Sequence, residues 1–350
     1  MKKFLNIKLL YAFLFLISFA ILIYFCLDDN NLITLINTVS FLNVIWLILA
    51  FASMFLVWII DAVIVKLLTI SIYDKKYYFK DAFKVTMVGQ FFNSVTPFCV
   101  ASQPMQILTM SGQGISAGSS ISVVVRKFLI YQSTLVLYLI LAMFLSFNLF
   151  IDKIPGFMPL VFLGCFSQSA VILLIIFFTV KKELTLKIIS KFFHFLSRFN
   201  LVKEPEKKLK TIEKQLNLYV ENNKEIGKNM HLTLKVFLLT FLQFTVMFNI
   251  SFCVYKAFNN PGFDFLNMIS GQAFVMATSA YTPLPGGSGA MENSFLTVFN
   301  IFFSFDNVKP AMLLWRFITY YSCIICGLFF VLSIKRPHGK NKRPLGTKAG

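Results

Sequence analysis

Glu292 is the residue whose type and setting point most directly to chemistry. It is the only charged residue between Phe265 and Phe305. Just before it, the segment 283–289 contains two prolines and three glycines, which break a helix at membrane depth. Lipid offers no hydrogen bonds to the freed backbone groups, so protein or a water-filled cavity has to satisfy them. An intramembrane carboxylate beside such a break is a candidate functional site.

A second copy of this pattern lies nearer the N-terminus. Gly89–Pro97 begins with Gly-Gln and ends with Thr-Pro, and so does the longer segment 271–283. About thirty residues after each Thr-Pro, an arginine (Arg126 or Arg316) opens a stretch with similarly placed aromatic residues. Chance recurrence in a chain of skewed composition is the alternative. We interpret the pattern as an internal repeat with one broken segment in each half, which is typical of transporters that bind their substrate near the midplane.

The composition sets the class of protein. Hydrophobic residues make up 57% of the 350 residues and charged residues 14%, against about 25% charged residues in soluble domains. The sequence therefore predicts an all-α polytopic membrane protein. About six apolar runs are long enough, at about 20 residues, to cross a bilayer, and they lie at 9–27, 41–60, 128–151, 157–180, 232–255 and 311–334. The broken segments 85–118 and 265–304 are predicted to be re-entrant hairpins that form an inverted repeat.

The placement of charge predicts the orientation. Lysines precede the first run, crowd the segment 181–231 and recur in the tail 336–350. The positive-inside rule then places both termini in the cytoplasm, and the two hairpins enter from opposite sides. The net charge of +18 is mostly this topological signal, and we see no module for binding nucleic acid. The segment 181–231 has the apolar spacing of amphipathic helices that lie on a membrane surface.

The sequence offers no motif for catalysis. We find no nucleotide-binding loop and no nucleophile elbow. The six cysteines lie in or beside apolar segments, and the three histidines are scattered. We therefore assign no catalytic residue, no metal and no cofactor.

Several of these motifs together resemble a known family. Gly89–Phe98, Gln103–Gln106, Arg126 and Pro285–Glu292 are similar to the flippase-like transmembrane region of lysylphosphatidylglycerol synthases. This region is the membrane half of the multiple peptide resistance factor. One departure is Ala101-Ser102, where the family usually has two glycines.

The resemblance implies a flippase-like transmembrane domain at 1–335 and a basic cytoplasmic tail at 336–350, in a bacterial-type plasma membrane. In the full-length proteins, a soluble domain transfers lysine to phosphatidylglycerol. The membrane region moves the cationic lipid to the outer leaflet, which gives resistance to cationic antimicrobial peptides.

We therefore expect a lipid translocase whose partner is a membrane phospholipid, such as lysyl-phosphatidylglycerol. Glu292 would attract a cationic headgroup or pair with Arg316 or Arg126, and the arginines would otherwise hold the phosphate. In the alternative, Glu292 and an arginine form an ion pair that only fixes helix packing. Asp61 is expected to reach the interface or to pair with Lys66. The predicted lipid-binding residues are Glu292, Arg316, Arg126, Gln90, Asn93, Pro97, Gln103, Gln272, Pro285, Gly286, Gly287 and Gly289.

Two further functions stay open. One is a phosphatidylglycerol lysyltransferase component that acts with a separately encoded synthase domain. The other is a transporter of an isoprenoid-linked or other non-phospholipid solute. Because the sequence ends about fifteen residues after its last apolar run, we expect no lysyl transfer by this chain alone. Association into a homo-oligomer also stays open.

Overall fold

A computed structural model describes residues 42–73, 75–198, 205–262, 264–278, 282 and 284–333. Within these ranges the secondary structure is helical, without a strand, which confirms the predicted all-α class. We number the α-helices α1 Val44–Ile70, α2 Phe79–Val95, α3 Ser102–Gly112, α4 Ala117–Lys153, α5 Met158–Val180, α6 Lys182–Arg198, α7 Pro205–Lys228, α8 Met230–Ala257, α9 Phe265–Thr278, α10 Ala290–Phe299, α11 Phe305–Arg316 and α12 Ser322–Leu332.

Five helical segments of the described chain are long and apolar enough to cross a membrane, which confirms a polytopic membrane protein. They are α1, α4, α5 with its preceding turn, α8, and the continuous segment Phe305–Leu332 that contains α11 and α12. Five of the predicted runs each overlap one of these segments, whereas the run 9–27 lies outside the described residues. Polar residues mark some of the helix ends. The side chain of Asn43, for example, caps α1 by accepting from the Ile45 amide at 3.1 Å.

Two helix–break–helix units lie at the predicted broken segments. The first unit comprises α2, a short turn at Pro97–Cys99 that we call the first tip, and α3. The second unit comprises α9, the second tip at Pro285–Gly287, and α10. Proline at the start of each tip lacks an amide hydrogen and cannot continue the preceding helix. The two tips contact each other.

The spanning helices bury polar pairs and turn apolar side chains outward. Between helices, Ser251 donates to Gln272 at 2.5 Å and Ser146 donates to Ser270 at 3.0 Å. Phe144 and Phe166, by contrast, are largely exposed. Hydrogen bonds between helices and an apolar exterior are the arrangement that a lipid solvent favours.

Helix α7, which is not among the five candidate spanning segments, docks against the beginning of α4. The amide of Gly118 donates to the Gln215 side chain at 2.6 Å, and Asn222 donates to Ser119 at 3.0 Å. A Cβ at Gly118 would lie 2.6 Å from the Gln215 carbonyl oxygen, so only glycine permits this approach. The Tyr219 hydroxyl is within 2.7 Å of the Thr179 hydroxyl near the end of α5, and burial raises the pKa of Tyr219. Helix α7 thus links the beginning of α4 to the end of α5.

The packing of α1 against α8 generates a topological prediction. The Asn43 amide at the beginning of α1 donates to the Ala257 carbonyl at the end of α8 at 2.8 Å, so the two helices are antiparallel. Ser71 and Asn260 therefore lie at opposite ends of two helices about 40 Å long. In a cysteine-free background, we expect an impermeant maleimide to label Asn260→Cys on intact cells. Ser71→Cys should react only after permeabilisation, and labelling of both from one side would contradict the antiparallel arrangement.

Candidate functional site

The second tip is a turn that depends on glycine. Gly286 has a φ of 59° and Gly289 has a φ of 85°, both in the left-handed region. A Cβ on Gly286 would also overlap the ring of Tyr320. Helix α10 begins directly after this turn, so its first amide groups have no partners inside the helix.

Glu292 and Arg316 satisfy the polar groups of this turn. The Arg316 Nε donates to Glu292 Oε1 at 2.6 Å, and the Gly289 amide donates to Glu292 Oε2 at 2.6 Å. Arg316 Nη2 and Nη1 donate to the Gly286 carbonyl oxygen at 3.3 and 3.4 Å. Both residues are only 4% exposed. The pair therefore clamps the second tip onto α11, and each carboxylate oxygen already has a donor.

Tyr320 extends this clamp to the first unit. Its ring centre lies 4.8 Å from the Arg316 guanidinium carbon, a cation–π contact. Its hydroxyl donates to the Ser94 carbonyl at the end of α2 at 2.9 Å. Tyr320 belongs to a π-helical turn, Phe317–Tyr321, that follows Arg316 directly. Such turns re-aim side chains within a helix, and here Tyr320 connects the two units.

In the first tip, residues other than glycine adopt a strained backbone conformation. Phe98 and Cys99 have φ values of 50° and 58°, a conformation that costs such residues free energy and persists where the surroundings enforce it. The Thr96 hydroxyl donates a hydrogen bond to the Phe92 carbonyl at 2.5 Å, and the Cys99 amide donates to the Thr96 carbonyl at 3.1 Å. The strain therefore lies where the two tips meet.

A second buried ion pair lies beside the first unit, and sequence analysis missed it. Lys127 Nζ is 2.7 Å from Asp61 Oδ2, which also accepts from the Thr86 hydroxyl at 2.8 Å. The Gln243 amide lies 3.5 Å from Asp61 Oδ1. Asp61 is 4% exposed, so the expectation that it reaches the interface or pairs with Lys66 is wrong. Its partners come from α2, α4 and α8.

The sequence contained a signal for this pair. Lys127-Phe-Leu-Ile-Tyr131 matches Arg316-Phe-Ile-Thr-Tyr320 at the cation, the phenylalanine and the tyrosine. Aligning the two copies in this register makes Lys127, rather than Arg126, the counterpart of Arg316. Each of these two cations holds a buried carboxylate.

The predicted site residues fall into three groups. Arg316, Glu292, Pro285, Gly286, Gly287 and Gly289 come together at the second tip. The second group consists of Gln272 and Arg126, which have other partners. Gln272 is buried between α9 and α8 and accepts a hydrogen bond from Ser251. Arg126 donates to Thr233 at 2.9 Å and does not pair with Glu292.

The third group lies around the first tip, where Pro97 is exposed. Asn93 and Gln103 are half-buried and form no hydrogen bond to any other described residue. The side chain of Gln90, also half-buried, accepts a 3.9 Å contact from the Cys323 thiol. In the part of the chain that the structure describes, no three His, Cys, Asp or Glu side chains cluster as a metal site would require.

Loss of the Glu292 charge tests the clamp. Glu292→Gln leaves Arg316 buried without a counter-charge, which typically costs about 3–5 kcal/mol. We expect a marked fall in the thermal unfolding midpoint of the detergent-solubilised protein. Adding Arg316→Gln should recover much of the loss, and Asp306→Asn, which removes an exposed carboxylate from α11, should change little. An unchanged midpoint for Glu292→Gln would contradict the clamp.

Gly286→Ala tests the turn itself. The positive φ and the overlap with Tyr320 both oppose a methyl group, so we expect a loss of about 1–3 kcal/mol in unfolding free energy. Gly112→Ala is the matched control because its Cβ would have no neighbour within 4 Å. Urea or thermal unfolding of both variants checks the difference, and equal stability would contradict the assigned geometry.

The chain is similar in sequence to known membrane proteins. A UPF0104 membrane protein of Archaeoglobus fulgidus is 25% identical over 294 residues, which is 83% of this chain and 86% of that protein. The family model described as the lysylphosphatidylglycerol synthase TM region matches residues 9–327. The chain therefore belongs to the family of the lysylphosphatidylglycerol synthase transmembrane region.

Proposed function

We propose that this chain translocates a phospholipid, and that the headgroup passes along the junction of the two tips. The observation that carries the proposal is that the amide side chains of Asn93 and Gln103, on either side of the first tip, form no hydrogen bond to any other residue that the structure describes. Asn93 lies within one helical turn before this tip, and Gln103 is the second residue of the helix after it. Both are therefore within a few residues of the first tip, which contacts the second tip.

Unpaired amides are costly among spanning helices. A polar group without a hydrogen bond in an apolar environment costs about 1–3 kcal/mol in proteins. A ligand with donors and acceptors, such as a phosphate, a glycerol hydroxyl or an ammonium group, offsets this cost while it is bound. Because amides both donate and accept, they suit the polar headgroup of a lipid whatever its charge.

The two ion pairs add no net charge to the proposed headgroup path along the two tips. Asp61 is neutralised by Lys127 and Glu292 by Arg316. The proposal therefore assigns headgroup contact to the amides rather than to Glu292, whose two oxygens are occupied by Arg316 and Gly289. Asp61 also accepts from Thr86 on α2, which is the helix that carries Asn93.

Membership of the family suggests the first lipid to test. The family name refers to the synthesis of lysyl-phosphatidylglycerol, so phosphatidylglycerol and its lysyl ester are the primary candidates. Movement of the lysyl ester to the outer leaflet would reduce the negative surface charge. That reduction would link the protein to resistance against cationic antimicrobial peptides.

Reconstitution tests the proposal. Purified protein in vesicles that contain fluorescently tagged phosphatidylglycerol or lysyl-phosphatidylglycerol should accelerate transfer between leaflets, measured by dithionite quenching. Asn93→Leu combined with Gln103→Leu should slow this transfer about thirtyfold, since two lost hydrogen bonds contribute on the order of 1 kcal/mol each. Ser169→Leu on α5, whose hydroxyl bonds only its own helix at 2.9 Å, should leave the rate unchanged.

Two outcomes would contradict the proposal: vesicles with protein that transfer lipid no faster than empty vesicles, and a double variant with the wild-type rate. Acceleration of an isoprenoid-linked sugar but of neither phospholipid would favour the solute-transporter alternative.

A further inference from the structure

Arg126 lies in a groove away from the tips. The groove has a volume of ≈ 400 Å³ and is open to the outside between α4, α5 and α8. This volume falls within the range of about 300–1,000 Å³ that is typical of ligand pockets. Apart from Arg126, Thr233 and Ser133, the side chains that line it are apolar.

The guanidinium of Arg126 is incompletely satisfied in this groove. One Nη2–H donates to Thr233 at 2.9 Å, whereas the Nε is buried and has no hydrogen-bond partner. Among the described residues, the ion pairs are Lys127–Asp61 and Arg316–Glu292, so Arg126 pairs with no described carboxylate. Its charge is therefore available to an anion from outside the described protein, and a phosphate matches the planar fork of a guanidinium.

The groove has a polar end and an apolar end. Thr233 is the fourth residue of α8, and Ile176 lies four residues before the end of α5. Helix α4 has 37 residues and a length of about 55 Å, so it exceeds the hydrocarbon core of about 30 Å. Its first turns, which contact α7, lie outside the core, and Arg126 follows them at the level of the lipid headgroups.

The apolar end continues inward from this level. Phe237 and Ile172 lie about 6 Å further along their helices than Thr233 and Ile176, at the depth of acyl chains. One lipid molecule with its phosphate at Arg126 and a chain along α5 and α8 would match both ends.

The surrounding charge favours an anionic lipid. The groove opens at the end of the helices from which the segment 181–231 emerges, and that segment contains twelve Lys and Arg against six Asp and Glu. Basic residues near the membrane surface attract anionic lipids by about 1 kcal/mol each. The same end is predicted to be cytoplasmic by the positive-inside rule.

We infer that this groove is a binding site for an anionic phospholipid, with Arg126 and Thr233 on the phosphate and the groove wall along an acyl chain. The site lies at the end of the spanning helices that α7 covers, and it does not require that the tips translocate lipid. It holds one lipid molecule in the leaflet on that side.

Lipid occupancy provides the test. Purified protein in mixed micelles with equal phosphatidylglycerol and phosphatidylcholine is examined by native mass spectrometry for retained lipid. We expect the wild-type protein to retain one phosphatidylglycerol in preference to phosphatidylcholine. Arg126→Gln should weaken retention about tenfold, as loss of a charge-assisted hydrogen bond does, and Arg126→Lys, which keeps the charge without the planar fork, should keep part of it.

A blocking variant covers the case in which Arg126→Gln does not fold. Ser133 is exposed in the groove, so Ser133→Trp should fill it without disturbing the interior and should abolish retention. Leu145→Trp, which is exposed on α4 and does not line the groove, is the matched control and should retain lipid.

Retention that Ser133→Trp does not reduce would overturn the inference. Equal retention of the two lipids by the wild-type protein would also overturn it. Because the readout is occupancy, a failure of leaflet transfer in vesicles would leave this result intact.

Discussion

The second helix break depends on one constraint, which is that its backbone groups must be hydrogen-bonded without help from lipid. Arg316 satisfies the Gly286 carbonyl, and Glu292 satisfies the Gly289 amide. The ion pair between these two side chains makes both contacts possible, because each group neutralises the other's charge in a buried setting. The orientation of Tyr320, and with it the link to the first unit, follows from the position of Arg316.

The first unit meets the same constraint in a different way. Glu292 stands nine residues after Pro283, and the residue nine positions after Pro97 is the neutral Gln106. Gln106 lies buried against Gly89 and donates to Ser102 at 3.3 Å, so it offers no charge to a cation. Lys127 instead pairs with Asp61, which belongs to α1 rather than to the unit. The two copies thus keep one buried ion pair each, although the carboxylates come from different places in the chain.

Arg126 and Lys127 show how adjacent residues serve two separate regions. Consecutive side chains on a helix point about 100° apart, so Lys127 reaches the interior and Arg126 reaches the groove beside α8. Lys127 is neutralised by Asp61 and holds helices together. Arg126 keeps a buried Nε–H without an acceptor, which suits a ligand from the membrane. A cation that forms a structural ion pair and a cation that we propose to bind a lipid are therefore adjacent in the sequence but point in different directions from α4.

The sequence by itself determined the class, the spanning helices and the positions of both breaks. These features are local, since apolar run length, proline and glycine act on the segment that contains them. Only the tertiary structure decided that Glu292 pairs with Arg316 and not with Arg126, and that Asp61 pairs with a lysine 66 residues away. It also decided that Gln272 accepts a hydrogen bond from Ser251, whereas the side chains of Asn93 and Gln103 form none to any other described residue. Such pairings depend on which helix faces meet in the folded protein. The type of a residue does not reveal which helix will lie opposite it.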